Sequence, residues 1–136
     1  MVVSAERRGT EKETRYTVLI VDDEPAIRNI LARILSNKGH KAQAVSNGKA
    51  ALAMLQNRGY DLLVADLKMS GISGIDLYEI LKKKCPEMAA RTVFITGDTM
   101  TEETSEFLNS TGRPYLAKPF TPVEFLYTID TALAEN

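Results

Sequence analysis

The chain has 136 residues, of which 44% are hydrophobic, and its 17 basic side chains nearly balance 18 acidic ones. This length suits one compact domain with a sizeable core and is too short for two ordinary domains. No basic tract of the kind that binds nucleic acid is present, since Lys82–Lys84 suits the cationic last turn of a helix, so direct binding of nucleic acid by this domain is not expected. A single cysteine, Cys85, excludes an internal disulfide and a multi-cysteine metal site, and it favours a reducing compartment.

The sequence contains no apolar run near the roughly 20 residues that cross a bilayer, so no membrane contact is expected from this segment. With the single cysteine, this indicates a cytoplasmic protein. Residues 1–15 are polar, mixed in charge and without hydrophobic period, and we interpret them as a flexible N-terminal arm or linker. Residues 16–136 are expected to form the folded domain.

Five short segments have the length and composition of β-strands. They are Val18–Val21, Lys41–Val45, Leu62–Ala65, Thr92–Thr96 and Tyr115–Ala117. The first and third are continuously apolar, which is typical of strands buried on both faces. The second alternates only weakly and is expected near an edge of the sheet.

A helix is predicted after each strand. The first begins at Pro25, which suits the first turn of a helix, and ends at Gly39. The second is capped by Ser46 or Asn47 and runs to Gly59. The apolar residues of the first helix recur at the spacing of one buried face: Ile27, Ile30, Leu31, Ile34 and Leu35.

The last three helices differ in how strongly their sequences specify them. The third begins at Ser73 and ends at Cys85, before a proline. The fourth, Thr101–Ser110, offers little apolar surface, so we expect it to have low local stability and to be able to shift. The fifth begins with a capping box formed by Thr121 and Glu124.

Alternating strands and helices predict an α/β fold built on a doubly wound, five-stranded parallel sheet. Parallel neighbours need a crossover connection, and such crossovers are right-handed. The carboxyl ends of all five strands therefore share one edge of the sheet, where open α/β sheets gather their ligands.

Polar residues stand at that edge on four predicted strands. Asp22 and Asp23 follow the first strand, Asp66 the third, Thr96 ends the fourth, and Lys118 follows the fifth. A lone aspartate at a strand end more often starts a turn. The coincidence on four strands instead favours a functional site.

Three neighbouring carboxylates would repel one another by about a few kcal/mol per pair, and they therefore need a cation. An oxygen-only cluster with room for water and phosphate suits Mg²⁺, and Mn²⁺ could take the same ligands. Lys118 supplies a fixed positive charge and Thr96 a hydroxyl donor for an anionic oxygen. This set predicts in-line phosphoryl transfer to Asp66 as the nucleophile.

These strand-end residues resemble the characteristic set of the receiver domain of two-component response regulators, over about Thr17 to Ala134. The resemblance implies a flavodoxin-like (βα)5 sheet with strand order 2-1-3-4-5. It also implies that Asp66 accepts the phosphoryl group. Asp22, Asp23, Asp66 and the backbone carbonyl of Lys68 would then bind Mg²⁺.

The same resemblance implies roles for the residues of the last two strands. Thr96 matches the switch hydroxyl, Tyr115 the aromatic side chain that moves inward with it, and Lys118 the lysine that contacts phosphate. It also implies a cis peptide bond between Lys118 and Pro119. As an alternative, Tyr115 could simply belong to the core. Where the family usually has proline this chain has Ser70, so the loop there is expected to be looser.

Two further side chains border the implied site. Lys68 lies two residues beyond Asp66, and Asp98 lies two residues beyond Thr96. We hypothesise that Lys68 and Asp98 pair across the mouth of the site and tune the lifetime of the phosphorylated state. The alternative is that both side chains are simply solvated.

The resemblance implies a histidine kinase or a histidine phosphotransfer domain as the phosphodonor, and an output partner protein or domain. Phosphorylation would change the surface formed by the fourth helix, the fifth strand and the fifth helix, through which a homodimer could also form. Apart from Mg²⁺-dependent self-phosphorylation and self-dephosphorylation, the chain is not expected to be an enzyme.

The segments 94–99 and 111–120 are similar to receivers at the C-terminal end of hybrid sensor histidine kinases. No output domain follows Asn136, so both a stand-alone regulator and a module of a hybrid kinase remain open; in the latter, kinase activity would lie elsewhere.

A Mg²⁺-dependent phosphatase with an aspartate nucleophile is the alternative function. Its motif needs a second acid where this chain has Lys68. A flavin site is disfavoured because the acids after the first strand would repel the cofactor phosphate.

Overall fold

The computed structural model describes residues 15–97 and 101–135. Its parallel strands form a single sheet in the order β2-β1-β3-β4-β5, which confirms the predicted topology. The strands are β1 (Thr17–Val21), β2 (Lys41–Val45), β3 (Leu62–Asp66), β4 (Thr92–Thr96) and β5 (Tyr115–Ala117). The predicted N-terminal arm lies outside the described residues except for Arg15.

Helices cover both faces of the sheet and connect successive strands. They are α1 (Pro25–Asn37), α2 (Gly48–Asn57), α3 (Gly74–Lys84), α4 (Glu102–Thr111) and α5 (Pro122–Ala134). A separate helical turn, Pro86–Ala89, follows α3 and was not predicted. Cys85 ends one helix and Pro86 begins this turn, as expected for a residue that suits the first helical position. Among the described residues, no helix is long and apolar enough to cross a membrane.

Side-chain caps fix several helix starts. Asn47 Oδ1 accepts a hydrogen bond from the Ala50 backbone N–H at 2.8 Å, so Asn47 rather than Ser46 caps α2. At α5 the capping box is complete, because Thr121 and Glu124 each accept a bond from the other's backbone N–H. Loss of such a cap typically costs about 1 kcal/mol.

The core lies in two layers, one on each face of the sheet. Successive residues of a strand point to opposite faces. Leu19 and Phe94 therefore belong to one buried cluster, and Ile20 and Ile95 to the other. This double burial explains why β1 and β3 are continuously apolar, whereas the edge strand β2 is only partly buried.

Ile30 does not join the buried face of α1, and that prediction was wrong. Leu31 and Leu35 are fully buried, whereas Ile30 is 52% exposed. Ile27, Leu31, Ile34 and Leu35 define the stripe that faces the sheet, and Ile30 lies on its flank. The helical spacing is correct, but the buried stripe is narrower than predicted.

Helix α4 is attached to the rest of the domain mainly through aromatic contacts. The Phe107 ring lies 5.4 Å from the Phe94 ring and 5.7 Å from the Tyr78 ring, both edge-to-face. Leu108 and Thr104 are buried beside them. Most other side chains of α4 are exposed, which agrees with its low apolar content.

Candidate functional site

The pairing of β1 with β3 brings the predicted acids together. Val21 pairs with Ala65, so Asp22 and Asp66 leave neighbouring strands at the same level. Carboxylate oxygens of Asp22, Asp23 and Asp66 lie within 4.8 Å of one another. Of these three residues, Asp22 and Asp66 are buried and Asp23 is exposed, so the cluster opens toward solvent on one side.

β5 brings Lys118 to this cluster. The Lys118 backbone N–H donates to the Thr96 carbonyl at 2.8 Å, and the Lys118–Pro119 peptide bond is cis. Lys118 Nζ lies 3.2 Å from Asp66 Oδ2 and 3.5 Å from Asp22 Oδ2. The ammonium group therefore neutralises part of the charge of the two buried acids.

Glu24 is a third partner of Lys118, a role that was not predicted from the sequence. Its Oε1 lies 2.7 Å from Lys118 Nζ. Glu24 occupies the N-cap position of α1, and its backbone N–H donates to Asp22 Oδ1 at 2.9 Å. The signal in the sequence was its place directly after Asp22 and Asp23.

Asp22 carries the clearest sign of a cation site. Its side chain is 1% exposed, and Oδ2 is buried without a hydrogen bond from any described residue. Arg28 Nη1 donates to the Asp22 carbonyl at 2.8 Å, which fixes the backbone. A buried carboxylate oxygen without a hydrogen bond is unfavourable. A bound cation would satisfy it, and a cluster of oxygen ligands fits Mg²⁺.

Asp66 is held between two donors. Lys118 donates to Oδ2, and the Lys68 backbone N–H donates to Oδ1 at 3.2 Å. Burial raises the pKa of Asp66 to about 6, and the Asp22 carboxylate acts in the same direction, although Lys118 and the Lys68 N–H oppose them. Burial alone would lower the pKa of Lys118, but its bond to Glu24 and the charges of Asp66 and Asp22 raise it above the ordinary value.

A glycine lets α3 begin directly against the end of β3. The Gly74 N–H donates to the Leu67 carbonyl at 3.0 Å. A Cβ atom at Gly74 would lie 2.3 Å from the Asp66 carbonyl oxygen and 2.8 Å from Leu67 Cα. Real Cβ atoms do not approach backbone this closely, so the position of Asp66 depends on glycine here. In the loop between them Gly71 has φ +77°, and Ser70 is exposed.

The two residues with implied switch roles have contrasting environments. Thr96 is 3% exposed at the end of β4 and pairs with Ala117. Tyr115 is 44% exposed, so the alternative that it belongs to the core is wrong. It pairs with Phe94 on β4, and its side chain reaches solvent at the sheet edge.

An open cavity of about 490 Å³ leads to the acidic cluster. It is lined by Asp23, Glu24, Asp66, Lys68 and Lys118, with Gly97 and Pro119. The Lys68 side chain is exposed at its mouth. Asp98 lies outside the described residues, so its predicted pairing with Lys68 stays a prediction.

The raised pKa of Asp66 predicts how the metal-free protein responds to pH. Because the folded state holds this proton more tightly than the ordinary pKa of 3.8 allows, protonation favours folding. Stability should therefore fall as pH rises from about 4 to about 6, by up to about 3 kcal/mol. Urea unfolding in EDTA at several pH values, compared with Asp66→Asn, isolates this contribution.

Asp66→Asn should remove that component of the pH dependence. At neutral pH, Mg²⁺ should stabilise the wild type by binding the folded state, and Asp66→Asn should reduce this response. If stability depended on pH equally in both proteins, Asp66 would not be the group whose protonation is linked to folding.

The comparisons with known proteins identify the family of this chain. Residues 18–130 match the family model of the response regulator receiver domain. The DNA-binding response regulator MtrA of Mycolicibacterium smegmatis is 29% identical over 122 residues, covering 90% of this chain and 52% of MtrA. A putative NtrX-like response regulator of Rickettsia conorii is 33% identical over 109 residues, covering 79% of this chain and 23% of that protein. The chain thus spans about half the length of MtrA, and less of the NtrX-like protein.

Solved structures show the same architecture. A CheY-like response regulator receiver domain from Methanospirillum hungatei superposes with a TM-score of 0.81 at 29% identity, covering 90% of this chain and 96% of that chain. Receiver domains bind Mg²⁺ at an acidic pocket, and Asp22, Asp23 and Asp66 form such a pocket here. With the family model spanning most of its length, this chain belongs to the receiver domains of two-component response regulators.

Proposed function

We propose that this chain takes a phosphoryl group onto Asp66 from a histidine kinase, a histidine phosphotransfer domain or a small phosphodonor. The observation that carries the proposal is the placement of Asp66 Oδ2 3.2 Å from Lys118 Nζ, inside an acidic cluster suited to a cation. Family membership supports it, since phosphorylation on aspartate is a general property of receiver domains.

Each residue of the cluster has a distinct part in the reaction. Asp22, Asp23, Asp66 and the Lys68 carbonyl would hold Mg²⁺, or Mn²⁺ in its place. When bound there, the ion would supply positive charge to neutralise phosphoryl oxygens. An Asp66 oxygen attacks phosphorus in line, so its bond to phosphorus forms as the bond to the donor's leaving group breaks. Lys118 contacts a phosphoryl oxygen through a charge-assisted hydrogen bond.

Asp66 needs no separate base, because the carboxylate itself is the nucleophile. With a pKa raised to about 6 by burial and by Asp22, Asp66 is mostly ionised at neutral pH. A bound cation would lower the pKa of Asp66 and so favour the ionised carboxylate. This matches the absence of a histidine from the lining of the cavity within the described residues.

The output would arise from a shift between two conformations. The new phosphoryl oxygens need hydrogen-bond donors, and we propose that Thr96 moves toward them and that Tyr115 turns inward behind it. Tyr115 is 44% exposed, so its side chain is not held in place by burial in the core. Phosphorylation would thus favour one of two pre-existing states of the surface formed by α4, β5 and α5.

This surface would contact an output partner or a second copy of the chain. The protein would act as a stand-alone regulator or as the receiver of a hybrid sensor histidine kinase, in the cytoplasm where response regulators typically work. Its own chemistry would be limited to gaining and losing the phosphoryl group, without turnover of a separate substrate.

The direct test is labelling with radioactive acetyl phosphate. We expect up to one phosphoryl group per chain in the presence of Mg²⁺ and none in EDTA. Hydroxylamine should release the label, since it cleaves acyl phosphates. If the protein instead hydrolyses p-nitrophenyl phosphate with turnover and holds no label, the phosphatase alternative replaces this proposal.

Lys68→Ala should change the lifetime of the phosphorylated state. If Lys68 covers the mouth of the cavity with Asp98, its removal admits water to the acyl phosphate and shortens the lifetime roughly fivefold, which corresponds to about 1 kcal/mol of barrier. The measurement is the decay of labelled protein after removal of the donor. Lys83→Ala, an exposed lysine of α3, serves as the control. Unchanged decay in both Lys68→Ala and Asp98→Ala would refute the pairing.

A further inference from the structure

The ammonium group of Lys118 is shared by three carboxylates. Its Nζ lies 2.7 Å from Glu24 Oε1, 3.2 Å from Asp66 Oδ2 and 3.5 Å from Asp22 Oδ2. The contacts with Glu24 and Asp66 are hydrogen bonds, whereas the contact with Asp22 is an ion pair only. Because the Glu24 contact is the shortest, a phosphoryl oxygen on Asp66 has to compete with Glu24 for the Lys118 ammonium group.

Glu24 is the partner that can leave most easily. Its side chain is 58% exposed, whereas those of Asp22 and Asp66 are 1% and 6% exposed. Exposed ion pairs contribute little because water solvates the separated ions. A buried carboxylate that loses its partner is far more costly. The exchange that admits a phosphoryl oxygen is therefore the release of Glu24.

Glu24 also places a negative charge at the entrance of the site. Its side chain lines the same open cavity as Asp66 and Lys68. An anionic donor that enters this cavity meets that charge before it reaches Asp66, and charge of the same sign lowers the rate of encounter. The repulsion of the donor by Glu24 and the ion pair of Glu24 with Lys118 both act against phosphorylation.

We propose that in the resting state the Glu24 carboxylate binds Lys118 at the position later taken by a phosphoryl oxygen. In this way Glu24 restricts phosphorylation by small anionic donors. This inference rests on the proposed function of Asp66. Glu24 is a positioning residue, because it acts on the reaction through Lys118. A protein donor can offset the restriction by setting a basic side chain against Glu24, and a small donor cannot.

The test compares phosphorylation rates with acetyl phosphate in wild type, Glu24→Gln and Glu87→Gln. Glutamine keeps the shape of Glu24 and removes its charge. Glu87 is an exposed acid on the turn before β4, at the opposite edge of the sheet, and serves as the matched control. We expect Glu24→Gln to react roughly fivefold faster at low salt, with a smaller gain at high salt because ions screen the charge. Glu87→Gln should match wild type.

A second measurement uses beryllium fluoride, an anionic analogue of the phosphoryl group that undergoes no transfer. If Glu24 must give way, Glu24→Gln binds it tighter than wild type by a similar factor. If Glu24 instead supports the site by orienting Lys118, both the rate and the binding fall in Glu24→Gln. Equal or reduced values overturn the inference.

The two proposals fail in different ways. If the wild type is labelled and Glu24→Gln is labelled no faster, only the role of Glu24 is refuted. If neither protein is labelled by acetyl phosphate, the proposed function fails and this inference falls with it.

Discussion

Asp66→Asn is expected to abolish labelling by acetyl phosphate, with the rate of phosphorylation at least about a thousandfold below that of wild type. The asparagine amide keeps the size of the side chain but offers no anionic oxygen to attack phosphorus. It also removes one carboxylate from the cation cluster, so both nucleophile and metal ligand are lost together. Intact-mass measurement after incubation with donor and Mg²⁺ gives the labelled fraction directly.

Asp76→Asn is the matched control for this change, because Asp76 is an exposed acid at the start of α3, in the segment that follows Asp66. It should be labelled like wild type. Full labelling of Asp66→Asn would mean that another carboxylate of the cluster accepts the group, with Asp22 and Asp23 as the candidates. Because the variant also relieves charge repulsion in the metal-free site, it should remain folded, so a negative result will not reflect unfolding.

The hydrophobic pattern was sufficient to predict the strands of the sheet, and the resemblance to receiver domains supplied their order. β1 and β3 are buried on both faces, and their sequences are apolar without alternation. β5 has only three residues and none of them is buried, so its hydrophobic pattern is much weaker than that of β1 or β3. The turn Pro86–Ala89 was missed because four residues are too few to show a helical period.

The acids of the site could be predicted because they follow strands, and strand ends in a parallel sheet share an edge. The partner of Lys118 could not be predicted in this way. Lys118 and Glu24 are 94 residues apart, and they meet through the side chains of two loops. Spacing along the chain places both at the same edge, but it does not show which of several acids an amine will contact.

Gly74 is a residue whose importance only the structure reveals. In the sequence it is one of several small residues after Asp66, beside Gly71 and Ser73. Among these glycines Gly71 has a positive φ and open space around it, whereas a Cβ at Gly74 would overlap the Asp66 carbonyl. A side chain at position 74 is therefore excluded by the close packing of α3 against β3, and not by the backbone conformation.

Gly74→Ala is accordingly expected to cost about 3 kcal/mol or more of unfolding free energy, at the upper end for added volume in a packed site. The clash is with backbone atoms of Asp66 and Leu67, which cannot rotate away as a side chain could. Relief requires α3 or the end of β3 to move, and either movement displaces the Asp66 carboxylate from Lys118. Urea unfolding measures the first effect, and labelling under conditions where the variant is folded measures the second.

Gly59→Ala separates this clash from the general effect of replacing glycine. A Cβ at Gly59 meets nothing within 4 Å, and its φ lies outside the positive range. This variant should be about as stable as wild type, or slightly more stable because alanine reduces the freedom of the unfolded chain. If Gly74→Ala kept both the stability and the labelling of wild type, α3 could retreat without moving Asp66. Asp66 would then be held by Lys118 and the Lys68 N–H alone, and the close packing of α3 would have no part in placing its carboxylate.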